Sequence, residues 1–492
     1  MIIRLAHCIA AVSLFVCVPA AELESGAANP MARHVVTVHV VSQRYDYANP
    51  WQKGDVKRST ATGCVVEGRR ILTTAYALAD HAFVEVKKRG ESRKYKASVI
   101  VKDYRCGLAL LSVEDEDFFS GLTPIPLADS ILPGKAAKVY KWDEMGTLKE
   151  YTAEMTNSMM RFYEPVCCVL MHLFTTAMTE GGSGEPVCVD GSLVGITTGL
   201  SNETKTLYAI SSRVVKRMLK DVADGKYEGI PFFWVESNAI ESNKALREYL
   251  GMKEDESGVL ITGISPGSSG DDVIKVNDVI LSIDGIAIDD SGMYASEFGK
   301  LYHYGILQLD RFVGDKVTMR VLRDRARIDL SFTLKPVPEN YSVIPFSSYD
   351  NPPRYLIFGG LVFQELCAGY LYTAGQDWKK KADKRLLHYY DNARSLTEKG
   401  DRKRIIILSR VLADDINRGY QELRDQVLDR LDGVKIEDLT HCARLLQESN
   451  APWAVFDFIG GTTVVIDRKA AFTGMRNLLK AYNIASPTQL GK

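Results

Sequence analysis

The chemistry most open to reading lies in Gly181-Gly182-Ser183-Gly184, inside the stretch Thr179-Glu-Gly-Gly-Ser-Gly-Glu-Pro-Val187. An apolar run precedes it (Val169 to Leu173) and another follows it (Leu193 to Thr197). Glycines beside a serine let the backbone turn sharply and leave successive N–H groups to point one way. Such groups can hold the oxyanion that forms when a serine hydroxyl attacks an acyl carbon. The same residues between two strands also make an ordinary turn. Ser183 is therefore a candidate nucleophile, with Gly181 and Gly182 as the candidate oxyanion loop, only if the rest of the chain supplies a base.

The elements that must position this loop come from a chain of 492 residues, long enough for two to four domains. Hydrophobic content of 46% and charged content of 25% are those of ordinary globular protein. Lys+Arg of 61 against Asp+Glu of 62 leaves a net charge of -1, which gives no support for nucleic-acid binding.

Residues 1–21 read as a signal peptide: Arg4 charges the start, Ile9 to Val18 is apolar, and Val18-Pro-Ala-Ala21 offers small residues for cleavage near Ala20 or Ala21. Export, with a periplasmic destination, is the expectation. Leu14-Phe-Val-Cys17 faintly matches a lipoprotein box, although Val16 is bulky where a small residue is wanted. A membrane tether therefore depends on lipidation of Cys17, which would hold the protein in the cell envelope. No later segment is apolar enough to cross a bilayer. Two of the nine cysteines lie in this segment; the others, Cys64, Cys106, Cys167, Cys168, Cys188, Cys367 and Cys442, have no regular spacing. They form neither a disulfide framework nor a zinc site, and most are expected to be small buried hydrophobes, with one or two bridges left open.

From 33 to 224 the pattern is one of short strands. Val35 to Val41 is β-branched, and Gly63-Cys-Val-Val-Glu-Gly-Arg-Arg-Ile-Leu-Thr-Thr74 is two apolar runs broken at Gly68, as in a hairpin. Phe83-Val-Glu-Val and Tyr95-Lys-Ala-Ser-Val alternate, and Leu108-Ala-Leu-Leu-Ser-Val is a short apolar strand. Ser211 to Ala223 carries apolar residues at helical spacing. Many short strands point to a barrel or sandwich.

The order of these segments resembles the Deg/HtrA serine proteases: Gly-Cys-Val-Val, Arg-Ile-Leu-Thr-Thr-Ala-Tyr, Leu-Ala-Leu-Leu-Ser-Val, Gly-Gly-Ser-Gly-Glu-Pro, Leu-Val-Gly-Ile and Tyr-Ala-Ile. Pro50-Trp51, Ala79-Asp-His81 and Gly375-Gln-Asp-Trp378 fit the subgroup known from plants that carries one ordinary and one divergent PDZ module. The resemblance covers nearly all of the chain after residue 21. It implies a mostly β fold, a trypsin-like double β-barrel followed by two PDZ-like α+β modules, and trimer-based homo-oligomers. It implies no cofactor and no metal.

The resemblance places the family's nucleophile on Ser183, its histidine base on Tyr76 and its aspartate on Gly107. The family usually writes Gly-Asn-Ser-Gly-Gly-Pro, so this chain lacks the Asn and has Glu185 in place of a glycine. A serine hydroxyl needs a neighbouring base. Tyrosine titrates near ~10 and is a poor one at neutral pH, and glycine orients nothing. His81, five residues after Tyr76, would point elsewhere from a short helix. His172 reads as a strand residue and Asp103 as a solvated loop carboxylate.

Residues 229–336 resemble a PDZ domain, with strands at Glu256-Ser-Gly-Val-Leu-Ile-Thr262 and Asp278-Val-Ile-Leu-Ser-Ile-Asp-Gly-Ile286, and a terminal hairpin of Val317-Thr-Met-Arg-Val-Leu-Arg323 with Ile328-Asp-Leu-Ser-Phe-Thr-Leu334. Such domains add an extended peptide to a sheet edge and capture its carboxylate. The resemblance puts that site on Ser257, Gly258, Val259, Leu260 and Ile261. Residues 341–485 resemble the divergent PDZ: a strand at Tyr355 to Phe363 containing Gly359 and Gly360, another at Ile405 to Leu412, and an amphipathic helix at Ile436 to Glu448. The basic run Trp378-Lys-Lys-Lys-Ala-Asp-Lys-Arg-Leu-Leu387 reads as a solvated helix face. Two functions from different classes remain: a holder of unfolded or C-terminal peptides of exported proteins, acting in protein quality control, or a serine endopeptidase with a substitute base.

Overall fold

The computed structural model describes residues 29–491, apart from 89–90, 130, 164–166, 241–242, 296–300, 339–340, 346–348 and 401. The expected signal peptide and Cys17 lie outside the described residues.

The first module is two β-barrels packed side by side. Strands β1 (Val35–Ser42), β2 (Lys57–Val66), β3 (Arg70–Thr74), β4 (His81–Lys87), β5 (Tyr95–Lys96), β6 (Ser98–Asp103) and β7 (Leu108–Ser112) form one antiparallel sheet in the order β5-β4-β1-β2-β3-β7-β6. One continuous segment closes it. Tyr95–Lys96 pairs with β4, Ser98–Asp103 pairs with β7, and Ala97 N–H donates to Val84 O at 3.0 Å between them. The alternation that marks these strands follows their burial: Val36, Val38 and Val40 of β1 face a core with Ile71, Leu78, Val84 and Leu111.

Strands β8 (Ala136–Trp142), β9 (Leu148–Tyr163), β10 (Cys167–Thr176), β11 (Pro186–Val189), β12 (Ser192–Ser201) and β13 (Thr206–Ser211) close the second barrel in the order β10-β13-β12-β11-β8-β9. The helix Ser212–Asp221 follows, capped by the Ser211 side chain and burying Val214, Val215 and Met218. Cys64, Cys106, Cys188, Cys367 and Cys442 are all buried free thiols. The side chains of Cys167 and Cys168 lie outside the described residues.

The second module is a sheet in the order β14-β15-β16-β20-β21, with β14 Val235–Ala239, β15 Val259–Ile264, β16 Val279–Ile283, β20 Lys316–Arg323 and β21 Ala326–Thr333; β17 (Ile286–Ala287) pairs with β16, and β18 (Met293–Ala295) with β19 (Leu301–His303). In the third module the run Tyr355 to Phe363 is a hairpin rather than one strand. β22 (Tyr355–Phe358) and β23 (Leu361–Glu365) turn at Gly359 and Gly360, both at positive φ. The order continues as β28-β27-β25-β24-β23-β22-β29, with β24 Ile406–Val411, β25 Gln426–Leu431, β27 Trp453–Phe458, β28 Thr463–Asp467 and β29 Thr488–Gln489; the short β26 (Val434–Lys435) pairs with β25. The basic run is divided between two short helices, Trp378–Lys381 and Lys384–Asp391, with Lys379, Lys380 and Lys381 exposed.

The third module touches the first. Arg410 donates to Asn49 Oδ1 at 2.6 Å, and Trp51 meets Tyr355 edge-on at 6.1 Å. The strongest contact lies beside the candidate site.

Candidate functional site

The fold gathers the three positions at the junction of the barrels. The loop between β10 and β11 carries Ser183, and its carbonyl accepts from Thr62 N at 3.0 Å on β2. Gly184 packs so closely that a Cβ there would lie 2.1 Å from Thr62 O and 2.8 Å from Thr73 Oγ1, at φ +92. Only glycine fits. Two residues beyond Thr74, the last of β3, comes Tyr76, at the start of the turn Tyr76–Leu78. Ala75 N donates to Gly107 O at 2.9 Å, which brings Gly107 alongside.

The oxyanion donors do not face an empty cleft. Glu185 is buried to 2% exposure, and its Oε2 accepts from Gly182 N at 2.9 Å, from Ser183 N at 2.8 Å and from the Thr197 hydroxyl. The backbone of Glu185 completes the tie, donating to Thr197 Oγ1 at 2.9 Å. The sequence leads one to expect N–H groups open to a substrate. Instead a carboxylate from the same loop already receives those of Gly182 and Ser183. Glutamate at this position reaches back two to three residues because the glycines bend the loop over it.

The Tyr76 side chain is committed to neighbours of its own. Its hydroxyl donates to Tyr104 O at 3.1 Å, and its ring packs on Tyr104 at 5.4 Å and edge-on against Tyr349 at 5.7 Å. Gly107 sits at φ +74 and donates to Asp103 O at 2.9 Å.

Asp103 corrects the sequence reading. It is 6% exposed rather than solvated. Its carboxylate accepts from Arg105 Nε at 3.0 Å and Nη2 at 3.1 Å, and from the Tyr227 hydroxyl at 2.7 Å. Burial alone would raise its pKa, but the charge and hydrogen bonds of Arg105, with Tyr227, outweigh burial and hold it below the ordinary carboxylate value. Asp103 thereby ties β6 to the linker that enters the second module.

Both histidines are held by partners of their own. His81 opens β4 rather than lying on a helix; its Nδ1 is 3.0 Å from Leu78 O and 3.0 Å from Lys102 Nζ. Burial and then the Lys102 charge lower its pKa. His172 is 2% exposed within β10, with Nδ1 2.9 Å from Ser158 Oγ. No group of His, Cys, Asp and Glu able to hold a metal occurs among the described residues.

The residues to which the resemblance assigns a peptide site, Ser257, Gly258, Val259, Leu260 and Ile261, lie at the entry to and within β15. β15 is an inner strand, paired with β14 along Val259–Ile264 and with β16 at Val259 and Leu260. Ser257 Oγ donates to Ile288 O at 3.0 Å and Gly258 N to Asp290 Oδ1 at 3.0 Å, so the entry turn is bound within its own module. The edge strand is β14, which among the described residues pairs with β15 alone. Beside it lies an apolar pocket lined by Phe233, Tyr304, Leu307, Phe332 and Leu334. Sequence periodicity could not reveal this, because the pattern of a single strand does not name its neighbours in the sheet.

Two family models agree with this architecture. A family model described as Trypsin matches residues 39–219, and one described as PDZ domain matches 344–489. The chain is 29% identical to Protease Do-like 2, chloroplastic, of Arabidopsis thaliana over 92% of this chain and 74% of that protein. It is 27% identical to Putative protease Do-like 13 of the same plant, covering 94% and 90%. Among solved structures, the HtrA-type protease AlgW with decapeptide aligns at 17% identity and a TM-score of 0.47, over 62% of this chain and 96% of that one. The chain is a Deg/HtrA homologue of the Do-like proteases, built as a trypsin-like fold with PDZ architecture after it.

Proposed function

We propose that this chain is an exported protease-fold protein that holds peptides rather than cutting them, in the service of protein quality control. The observation that carries the reading is the buried Glu185 carboxylate on the N–H groups of Gly182 and Ser183. An oxyanion hole works by presenting donors to charge that develops in the transition state. Donors already bound to a carboxylate would have to leave it first, and its negative charge would oppose the substrate's. Tyr76 and Gly107 in the base and orienting positions add the loss of the proton relay. Loss of triad members costs roughly 10⁴ to 10⁶ in turnover.

Peptide holding is supported by the β14 edge and its apolar pocket. An extended segment can add its main chain to Val235–Ala239 and seat an apolar side chain against Phe233 and Leu307. The partners are unfolded or C-terminal peptides of exported proteins, bound with affinity on the order of micromolar, and the family resemblance favours a trimer-based assembly. The deciding test incubates denatured casein and a fluorophosphonate with the protein lacking residues 1–21. Uncut casein and an unlabelled Ser183 are expected. Cleavage that disappears in Ser183→Ala would overturn the reading in favour of a working endopeptidase.

A further inference from the structure

The segment that enters the third module folds back onto the first. Tyr349 stacks on Tyr104 with ring centroids 4.8 Å apart and planes at 28°, and meets Tyr76 edge-on. Asp350, at φ +67, turns the chain in a left-handed conformation that Asp tolerates better than most residues. Its carboxylate is received from three directions. Oδ1 accepts from Lys102 Nζ at 2.6 Å and from Asp80 N at 2.9 Å, while Oδ2 accepts from the Tyr104 hydroxyl at 2.6 Å. The Asp350 N–H in turn donates to Asp80 Oδ1 at 2.7 Å.

The receiving groups belong to the trypsin-like domain and form a shaped site. Lys102 is a cation with 10% side-chain exposure, further held by Leu78 O at 3.1 Å and beside His81 Nδ1 at 3.0 Å. Tyr76 and Tyr104 supply the aromatic wall, and the Asp80 peptide supplies one donor while its side chain supplies one acceptor. Arg44 Nε lies 3.9 Å from Asp80 and completes the charge ring. A cation, a tyrosine hydroxyl and a backbone N–H converging on one carboxylate, beside an aromatic face, is a recognition arrangement for an aromatic residue followed by an acidic one.

We propose that the trypsin-like domain carries a binding site for an aromatic–acidic turn, and that Tyr349–Asp350 is its exchangeable intramolecular ligand. The occupied site covers Tyr76, at the position of the lost base, and clamps the third module to the first. When the segment leaves, the site accepts a segment of the same chemistry in trans. The proposal uses neither the β14 edge nor the chemistry of Ser183.

The test uses the chain of residues 22–492. In Tyr349→Ala/Asp350→Ala, the Asp80 amide should exchange its hydrogen roughly 10- to 100-fold faster, as expected when a charge-assisted hydrogen bond is lost. An acetylated peptide of the Tyr349–Pro352 sequence should then bind the variant and restore slow exchange, and should bind the parent chain more weakly, in competition with the resident segment. The same peptide with Asp replaced by Ala should bind neither. Lys102→Gln reads the contact from the other side and should speed the Asp80 amide by roughly tenfold. Unchanged exchange at Asp80 in Lys102→Gln, or a double variant that ignores the peptide, would overturn the proposal.

Discussion

Replacing Glu185 separates the two things its carboxylate does. One oxygen, Oε2, accepts from Gly182 N, Ser183 N and Thr197 Oγ1. A hydrogen bond to a charged group contributes about 1.5–3 kcal/mol and a neutral one about 0.5–1.5. Glu185→Gln keeps an acceptor oxygen in place and loses only the charge assistance, about 1 kcal/mol per bond before discount. Gly182 and Ser183 are half-buried, so water offsets part of this, and about 1–2 kcal/mol of net loss is expected. Glu185→Ala removes the acceptor and leaves a void under the loop, for about 3–5 kcal/mol. At about 2–4 °C per kcal/mol for a domain of this size, the first-module transition should fall by roughly 2–8 °C in the amide variant and by roughly 6–20 °C in the alanine variant. Calorimetry reads the shifts. Hydrogen exchange at the Thr62 amide, which is bonded to Ser183 O, assigns the transition. The reasoning fails if Glu185→Ala melts with the parent protein, or if the amide variant is as damaged as the alanine one.

Rebuilding the triad should need three changes. Tyr76→His with Gly107→Asp is expected to leave casein uncut, because Ser183 N still serves Glu185, and only addition of Glu185→Gly should give Ser183-dependent cleavage. Asp103 has a folded pKa below its unfolded value, so its contribution is present above about pH 4 and is lost as pH falls through the folded value. Chemical denaturation should therefore show Asp103→Asn less stable than the parent at pH 7, with the difference closing as pH falls below about 4. Leu307→Asp, which puts a charge into the β14 pocket, should weaken binding of apolar C-terminal peptides by about tenfold or more in isothermal titration; equal binding would move the site elsewhere. N-terminal sequencing of the mature protein should begin near Ala21 or Glu22, and an intact Met1 in a cytosolic fraction would remove the export proposal.

The sequence alone determined which residue types stand where the family resemblance places the base and the orienting carboxylate. Tyrosine at 76 and glycine at 107 are facts of composition, and no packing turns either into a base or an orienting carboxylate. It also carried the strands, since alternation in β1 and β4 and the apolar run of β7 follow from one-sided or two-sided burial. Tertiary structure decided what the remaining groups do. Glu185 reads in one dimension as a charge near the nucleophile; folding buries it and turns it onto the backbone of Gly182 and Ser183, because three glycines at positive φ bend the loop over it. Asp103 reads as a loop carboxylate, yet Tyr227, 124 residues away, closes over it. Asp350 lies 248 residues from Lys102, and nothing in either local sequence announces their pairing. The same limit hid which strand of the second module forms the sheet edge. Strand order is set by hydrogen bonds between distant segments, so β15 and β14 are told apart only when the sheet is assembled.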